Sequence, residues 1–133
     1  VENATGERPL ETYLGDINLF AVFDNEDIVS NITPNFDAVS KLDGQGLIIS
    51  SSSNQYDFVS RYFCPKYGIN EDPVTGSAHT TLIPYWSEKL NKISLTAKQV
   101  SKRGGELFCE NTDNRVLIGG NAVLYMKGVI EID

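Results

Sequence analysis

The stretch Asn70-Glu71-Asp72-Pro73-Val74-Thr75-Gly76-Ser77-Ala78-His79 gathers residues suited to holding an anion. A carboxylate, Asp72, sits on a loop stiffened by Pro73, directly ahead of the small residues Gly76, Ser77 and Ala78. Thr75 stands where a helix N-cap would. The first N–H groups of a helix have no intrahelical partner, and the helix dipole favours negative charge there. Small side chains let a ligand approach that backbone, so the segment fits a carboxylate or phosphate, with the Ser77 hydroxyl as a further donor. A plainer reading fits the same residues: Thr-Gly-Ser before an apolar stretch is a capped helix start, and Asp72 is a turn residue or a cap. His79 lies one turn in, past the exposed N–H groups, and reads as a packed, hydrogen-bonded core histidine.

The element that must present these residues is a helix from Gly76 to Leu90. Leu82, Trp86 and Leu90 form one apolar stripe with Ile83 and Tyr85 beside it, and apolar residues on most faces predict a helix buried deep in the domain. Pro84 removes one backbone hydrogen bond and crowds the Thr80 carbonyl, at roughly 3 kcal/mol, so one kinked helix is expected. Upstream, Leu10–Leu14, Ile17–Phe23, Gly46–Ile49 and Phe58–Cys64 read as strands. Two short helices are expected between the second and third of these: one after Asp24-Asn25 with Ile28, Val29 and Ile32 inward, and one with Phe36, Val39 and Leu42 inward, ending near Gly44. Ser50-Ser51-Ser52-Ser53 reads as a strand running into a turn, and Cys64–Thr75 as a loop. Downstream, Leu95–Val100, Gly105–Cys109, Val116–Ile118 and Ala122–Ile132 predict an antiparallel meander. Its turns fall at Thr112-Asp113-Asn114 and Gly119-Gly120-Asn121. Strands enclosing one long helix make an α+β domain.

The chain has 133 residues, 41% of them apolar, which suits a single domain with a real core. Eleven basic against eighteen acidic residues give a net charge of −7. Nucleic-acid affinity rests on neutralising phosphates, so no nucleic-acid partner is expected. No apolar run approaches the roughly 20 residues of a membrane span, and the N-terminus shows no signal-peptide pattern. The chain begins with Val1 rather than Met, so a fragment or a processed product is expected. The two cysteines, Cys64 and Cys109, are expected to be free thiols in a reducing cytoplasm. One His and two scattered Cys show no zinc-type spacing, so no metal is expected.

The run Glu71–His79, followed by Pro84-Tyr85-Trp86, resembles the signature of the PhzF-like proteins of phenazine biosynthesis. Gln99-Val100-Ser101-Lys102-Arg103-Gly104-Gly105-Glu106-Leu107 resembles that family's next motif, and Val116 through Gly119-Gly120 to Gly128 its closing strands. Gly6–Phe23 is compatible with the start of the family's second domain. The likeness covers nearly the whole chain, with its specificity concentrated in Arg61–Gly105. It implies a diaminopimelate-epimerase-like fold, in which two similar domains, each a curved, mostly antiparallel sheet around a central helix, face each other across a cleft. It implies proton-transfer isomerisation of a small, carboxylate-bearing, often cyclic compound, with no metal or organic cofactor. Carried onto this sequence, Asp72 would hydrogen-bond and orient the substrate. Ser77, with the Gly76 and Ser77 N–H groups, would hold its carboxylate. Thr75 would cap the helix, Gly104 and Gly105 would let a second loop come close, and His79 takes no catalytic step.

The same resemblance implies that residues 1–133 are one domain, matching the C-terminal half of a two-domain isomerase. The family's proton-shuttling Glu and a Gly-His segment belong to the N-terminal half, and no counterpart precedes Asp72. Glu106 is read as structural. General acid–base work is worth roughly 10²–10⁴-fold, so the half alone is expected to be inactive. Three alternatives stand beside this reading. A thiol-based epimerase would need paired cysteines, yet the helix start holds Gly76, Ser77 and Ala78. A non-catalytic module could bind a small acid or a protein. Two copies could also associate to imitate the missing domain, and an exposed apolar cleft face predicts a dimer or larger assembly.

Overall fold

The computed structural model describes residues 1–112 and 114–132. After a short helix α1 (Glu2–Thr5), β1 (Glu11–Leu14) and β2 (Leu19–Val22) form a hairpin. Helices α2 (Glu26–Asn31) and α3 (Phe36–Ser40) follow, each opened by an asparagine. Asn25 Oδ1 accepts from the Ile28 N–H at 3.0 Å, and Asn35 Oδ1 from the Ala38 N–H at 3.1 Å, the ordinary chemistry of a helix cap. Then come β3 (Leu47–Ser52), β4 (Phe58–Cys64), a single 3₁₀ turn (Pro65–Tyr67), β5 (Ile69–Asp72) and the long helix α4 (Gly76–Leu90). Three strands close the order: β6 (Ser94–Gln99), β7 (Gly105–Thr112) and β8 (Arg115–Gly119).

All eight strands join one curved, mostly antiparallel sheet, in the order β1-β2-β3-β4-β6-β7-β8, with β5 also on β4. The β2/β3 and β4/β6 pairs are parallel. Parallel neighbours need crossover connections, and these carry the helices: α2 and α3 between β2 and β3, α4 between β4 and β6. Alternation along β4 sorts its side chains between two apolar layers. Phe58 and Tyr62 join Phe20, Ile48, Leu95 and Ala97 against Leu82, Ile83 and Trp86 of α4. Val59 and Phe63 join Ala21 and Ile49 against Ala4, Val29 and Val39 of the three short helices. Trp86 lies nearly parallel to Phe58, with ring centroids 5.8 Å apart, and its Nε1–H donates to Ser50 Oγ at 2.9 Å.

The expected α+β arrangement is therefore present, and the serine run does continue a strand, with Ser50 and Ser51 fully buried. Several details differ. Helix α1 had no counterpart in the sequence reading. The expected loop Cys64–Thr75 holds the 3₁₀ turn and β5, whose hydrogen bonds come from the free edge of β4, a partner that residue pattern alone does not reveal. Helix α4 runs through Pro84 as one helix, as expected, but is not buried on most faces. Ser77, Thr80, Thr81, Pro84 and Glu88 are exposed, so the proline stands on the solvent side, where the freed Thr80 carbonyl meets water. The Thr112-Asp113-Asn114 turn includes Asp113, which lies outside the described residues. The expected strand Ala122–Ile132 is absent: Gly120–Ile132 has no assigned element, and Val123 and Tyr125 are 93% and 99% exposed. A β-type sequence forms a strand only against an open edge, and this segment does not turn back onto β8.

His79 lies in the α4 layer with no exposure, beside the Phe58 ring at 5.9 Å. Its Nδ1 is 2.7 Å from the Thr75 carbonyl, to which it donates, and its Nε2 has no partner. Burial pushes its pKa below the ordinary 6.5, against a smaller opposing effect of that hydrogen bond. A histidine kept neutral when folded but protonated when unfolded makes unfolding take up a proton. His79 is the only histidine in the chain. Its contribution to stability should be intact above pH 6.5 and decline as pH falls below it, by up to about 1.4 kcal/mol per pH unit. Urea denaturation across the interval between pH 6.5 and the carboxylate range should show this slope. His79→Gln should flatten it, and an equal slope in that variant would assign the proton elsewhere.

Candidate active site

The site is built at a fork in the sheet. One edge of β4 is shared: β6 pairs with Phe58–Ser60, and β5 with Tyr62–Cys64. Asp72 at the end of β5 lies opposite Tyr62, and Gln99 at the end of β6 opposite Ser60, so two segments remote in sequence meet there. Arg61 anchors β5 from the other face. Its Nε and Nη2 donate to Glu71 Oε1 and Oε2 at 2.7 and 3.0 Å, and its Nη1 donates to the Val29 and Ile32 carbonyls at the end of α2, at 3.2 and 2.6 Å. Fork-to-fork pairing of this kind fixes direction as well as distance. The residue next to Asp72 is thereby tied to a helix on the far side of the sheet.

Between β5 and α4 the chain is held by Gln99, which has no exposure. Its Oε1 accepts from the Thr75 N–H at 2.8 Å, and its Nε2 donates to the Asp72 carbonyl at 2.7 Å and to Thr75 Oγ1 at 3.1 Å. Thr75 Oγ1 in turn donates to Asp72 Oδ2. Ser101 Oγ donates to the Pro73 carbonyl at 2.7 Å and accepts from the Gly104 N–H at 3.0 Å. Thr75 does occupy the N-cap position, in extended conformation, but no side chain caps α4. That corrects the expectation of a threonine cap. The hydroxyl is turned to Asp72, and the N–H groups of Gly76, Ser77 and Ala78 are left without a side-chain acceptor.

Gly76 and Ser77 are both exposed, but they look into different hollows. Gly76, Gly104 and Gly105 line an open depression of about 600 Å³ with Val74, Glu106 and Ile118. Ser77 lines a smaller one of about 200 Å³ against the β1–β2 turn at Gly15–Asn18. Asp72 is half-buried and lines neither. The structure thus brings Asp72 and Thr75 into contact, and Gly76 beside Gly104 and Gly105, with Ser77 on the other flank of the helix start. A Cβ on Gly105 would fall 2.5 Å from Val74 Cγ2, so this glycine is needed first for packing on the Asp72 loop. Gly104 has φ +70°, a turn conformation that favours glycine.

The cysteines stand apart from the helix start. Burial pushes the Cys109 thiol up to about 11 and raises that of Cys64, to which the Asp72 charge adds. Both cysteines are free and buried, a poor setting for the thiolate that thiol-based epimerisation requires. Glu106 accepts from the Tyr56 hydroxyl at 2.5 Å, a bond between β7 and the β3–β4 connection. Among the described residues, no group of three or more His, Cys, Asp or Glu side chains is arranged to hold a metal, and no helix is long and apolar enough to cross a membrane. Sequence reasoning missed Gln99 and Arg61 as structural centres of the site. The signal was there: Leu95, Ala97 and Gln99 alternate inward along β6, and a polar residue at a buried strand position must find partners.

Comparison with known proteins agrees with this architecture. The sequence profile of PhzC-PhzF, described as phenazine biosynthesis-like protein, matches residues 3–128. A Pseudomonas aeruginosa protein named an uncharacterized isomerase is 46% identical over 132 residues, 99% of this chain and 51% of that protein. The crystal structure of a PhzF-family protein from Enterococcus faecalis matches with a TM-score of 0.90 at 53% identity, covering 94% of this chain and 48% of that one. A putative PhzC/PhzF protein from Clostridium difficile matches with a TM-score of 0.85 at 48% identity, covering 96% and 49%. The chain spans about half the length of the relatives it matches. By its sequence, its fold and the loop that carries Asp72, this chain belongs to the PhzC-PhzF family of phenazine biosynthesis-like proteins.

Proposed function

We propose that this chain supplies the carboxylate-holding half of a cofactor-independent isomerase, which moves a proton on a small, carboxylate-bearing, often cyclic metabolite in the cytoplasm. The observation that carries the reading is the uncapped start of α4, where Thr75 donates to Asp72 and leaves the first amides available. In this reading the N–H groups of Gly76 and Ser77 bind the substrate carboxylate, and the Ser77 hydroxyl donates to it. Asp72 is held by Thr75 through one oxygen and meets a polar substituent of the substrate with the other. Gly104 and Gly105 keep the neighbouring turn low over the bound molecule. The proton-shuttling group comes from a complementary N-terminal half, a reading drawn from the family relation. Orientation is this half's contribution, and the transferred proton is the other's.

An anion at a helix start gains about 0.3–2 kcal/mol from the dipole, so the chain alone should bind only weakly, on the order of tens of millimolar. Benzoate titrated into the ¹⁵N-labelled chain should shift the Gly76, Ser77 and Ala78 amides, and Ser77→Ala should weaken that binding. Shifts scattered elsewhere, with these amides unmoved, would end the anion-site reading.

In a full-length protein carrying this half, Asp72→Asn should reduce solvent-deuterium exchange into substrate by roughly 10²-fold or more, with the urea midpoint little changed. Wild-type exchange in that variant would remove Asp72 from the chemistry. Carboxylate binding without any exchange in the wild-type two-half protein would point instead to a non-catalytic small-acid module.

Leu14 and Ile17, at the β1–β2 turn that borders Ser77, are 61% and 59% exposed, and Leu10, just ahead of β1, is 65% exposed. Exposed apolar surface of this kind finds a partner, and for the chain alone we place a second copy there. Sedimentation at micromolar concentration should return a dimer or larger assembly, and a monomer contradicts it.

A further inference from the structure

Gln99 does more than fill a buried strand position. Its carboxamide has two donors and one acceptor oxygen, and every bond it makes goes to the segment between Asp72 and Thr75. The orientation of the amide is forced. Turned over, it would set its oxygen against the Asp72 carbonyl and its NH₂ against the Thr75 N–H, like against like at both ends. In the orientation present, Nε2 donates to Thr75 Oγ1, so that oxygen already accepts. The single hydroxyl proton of Thr75 goes to Asp72 Oδ2, a carboxylate oxygen that accepts, and the two bonds together fix the hydroxyl's rotamer. The bonds run in one direction, Gln99 to Thr75 to Asp72.

This direction has a consequence at α4. A threonine at the N-cap ordinarily turns its oxygen to the N–H of the second or third helical residue. In this chain it does not, and α4 is uncapped. We propose that Gln99 is a positioning residue: by engaging Thr75 Oγ1 it keeps that hydroxyl off the helix start and aimed at Asp72, so that the α4 amides stay open to an anion. The proposal rests on the anion-site reading above for its function, but not for its geometry. It also gives the second motif a purpose. Gln99 and Ser101, two residues apart, take hold of the Asp72 and Pro73 carbonyls in succession, while the glycines that follow make the turn into β7.

The test is a double-mutant cycle between Gln99→Leu and Thr75→Val, on the ¹⁵N-labelled chain. Benzoate affinity at the Gly76, Ser77 and Ala78 amides is one measurement, and hydrogen exchange of the Ser77 and Ala78 amides without ligand is the other. With Thr75 present, Gln99→Leu should weaken benzoate binding about five-fold, the worth of a cap. It should slow exchange of those amides by a similar factor, because the released hydroxyl now covers them. With Val at position 75, Gln99→Leu should change neither quantity, since no hydroxyl remains to be released. Equal effects in the two backgrounds would make Gln99 a packing residue only and overturn the proposal. If Gln99→Leu does not fold, Gln99→Met, with a longer apolar chain, takes its place in the same cycle. Should wild type show no benzoate shifts at α4 while the exchange pattern holds, the anion site fails and the Gln99 control stands. The reverse outcome separates them the other way.

Discussion

A threonine hydroxyl carries one proton, and that of Thr75 goes to the accepting carboxylate of Asp72 while Gln99 donates to the same oxygen. The surrounding structure serves this short relay. Gln99 reaches Thr75 only because β6 ends beside β5 on a shared edge of β4, and Asp72 stays in place because Arg61 ties its neighbour Glu71 to the end of α2. Each tie is buried or half-buried, where an unmade hydrogen bond costs about 1–3 kcal/mol. The geometry is therefore stiff. Stiffness matters at a helix start, since open amides are useful to a ligand only if the chain does not fold its own side chain over them.

The electrostatics follow the same local logic. A chain of net charge −7 repels anions at long range, yet the reading assigns it an anion site. Beyond about 8 Å, salt screens the surface carboxylates, while the amides of α4 act in direct contact, with the dipole of the long helix behind them. Lys102 and Arg103 are exposed on the turn that carries Gly104, and Arg103 borders the depression at Gly76. They lend positive potential on one side only. Contact terms dominate at this surface, and the overall charge governs solubility more than ligand choice.

Much of this was legible in the sequence. Most of the strands, the short helix after Asn25 and the long helix after Thr75 follow from periodicity and cap chemistry, and the second short helix from its apolar spacing alone, without its Asn35 cap. What pattern could not supply was partner choice. Strand β5 exists because it folds back onto an unused stretch of β4, and Ala122–Ile132 is not a strand because it does not turn back onto the open edge of β8, although the two sequences look equally extended. Thr75 was misjudged for a related reason: a threonine before a helix is a cap by default, and only the position of Gln99, remote in sequence, tells the hydroxyl to face the other way. Burial of α4 was overestimated because apolar residues were counted without weighing Thr80, Thr81, Pro84 and Glu88, which mark its wet side.

A site that binds a carboxylate is not yet a site that moves a proton, and the titratable groups of this chain bear on how the proposed reading divides those tasks. His79 donates from Nδ1 to a carbonyl and keeps Nε2 in the core, with its pKa lowered by burial. It stays neutral and out of reach of a ligand. The two thiols are pushed up and buried, and Glu106 is bonded to Tyr56. Asp72 is half-buried and hydrogen-bonded to the residue just ahead of the open amides. Thr75 already occupies one of the carboxylate oxygens, which leaves the other to accept from a substrate and orient it. In the proposed reading this half fixes where the substrate lies and which of its faces is presented, and the group that takes and returns the proton approaches from the opposite side of the cleft.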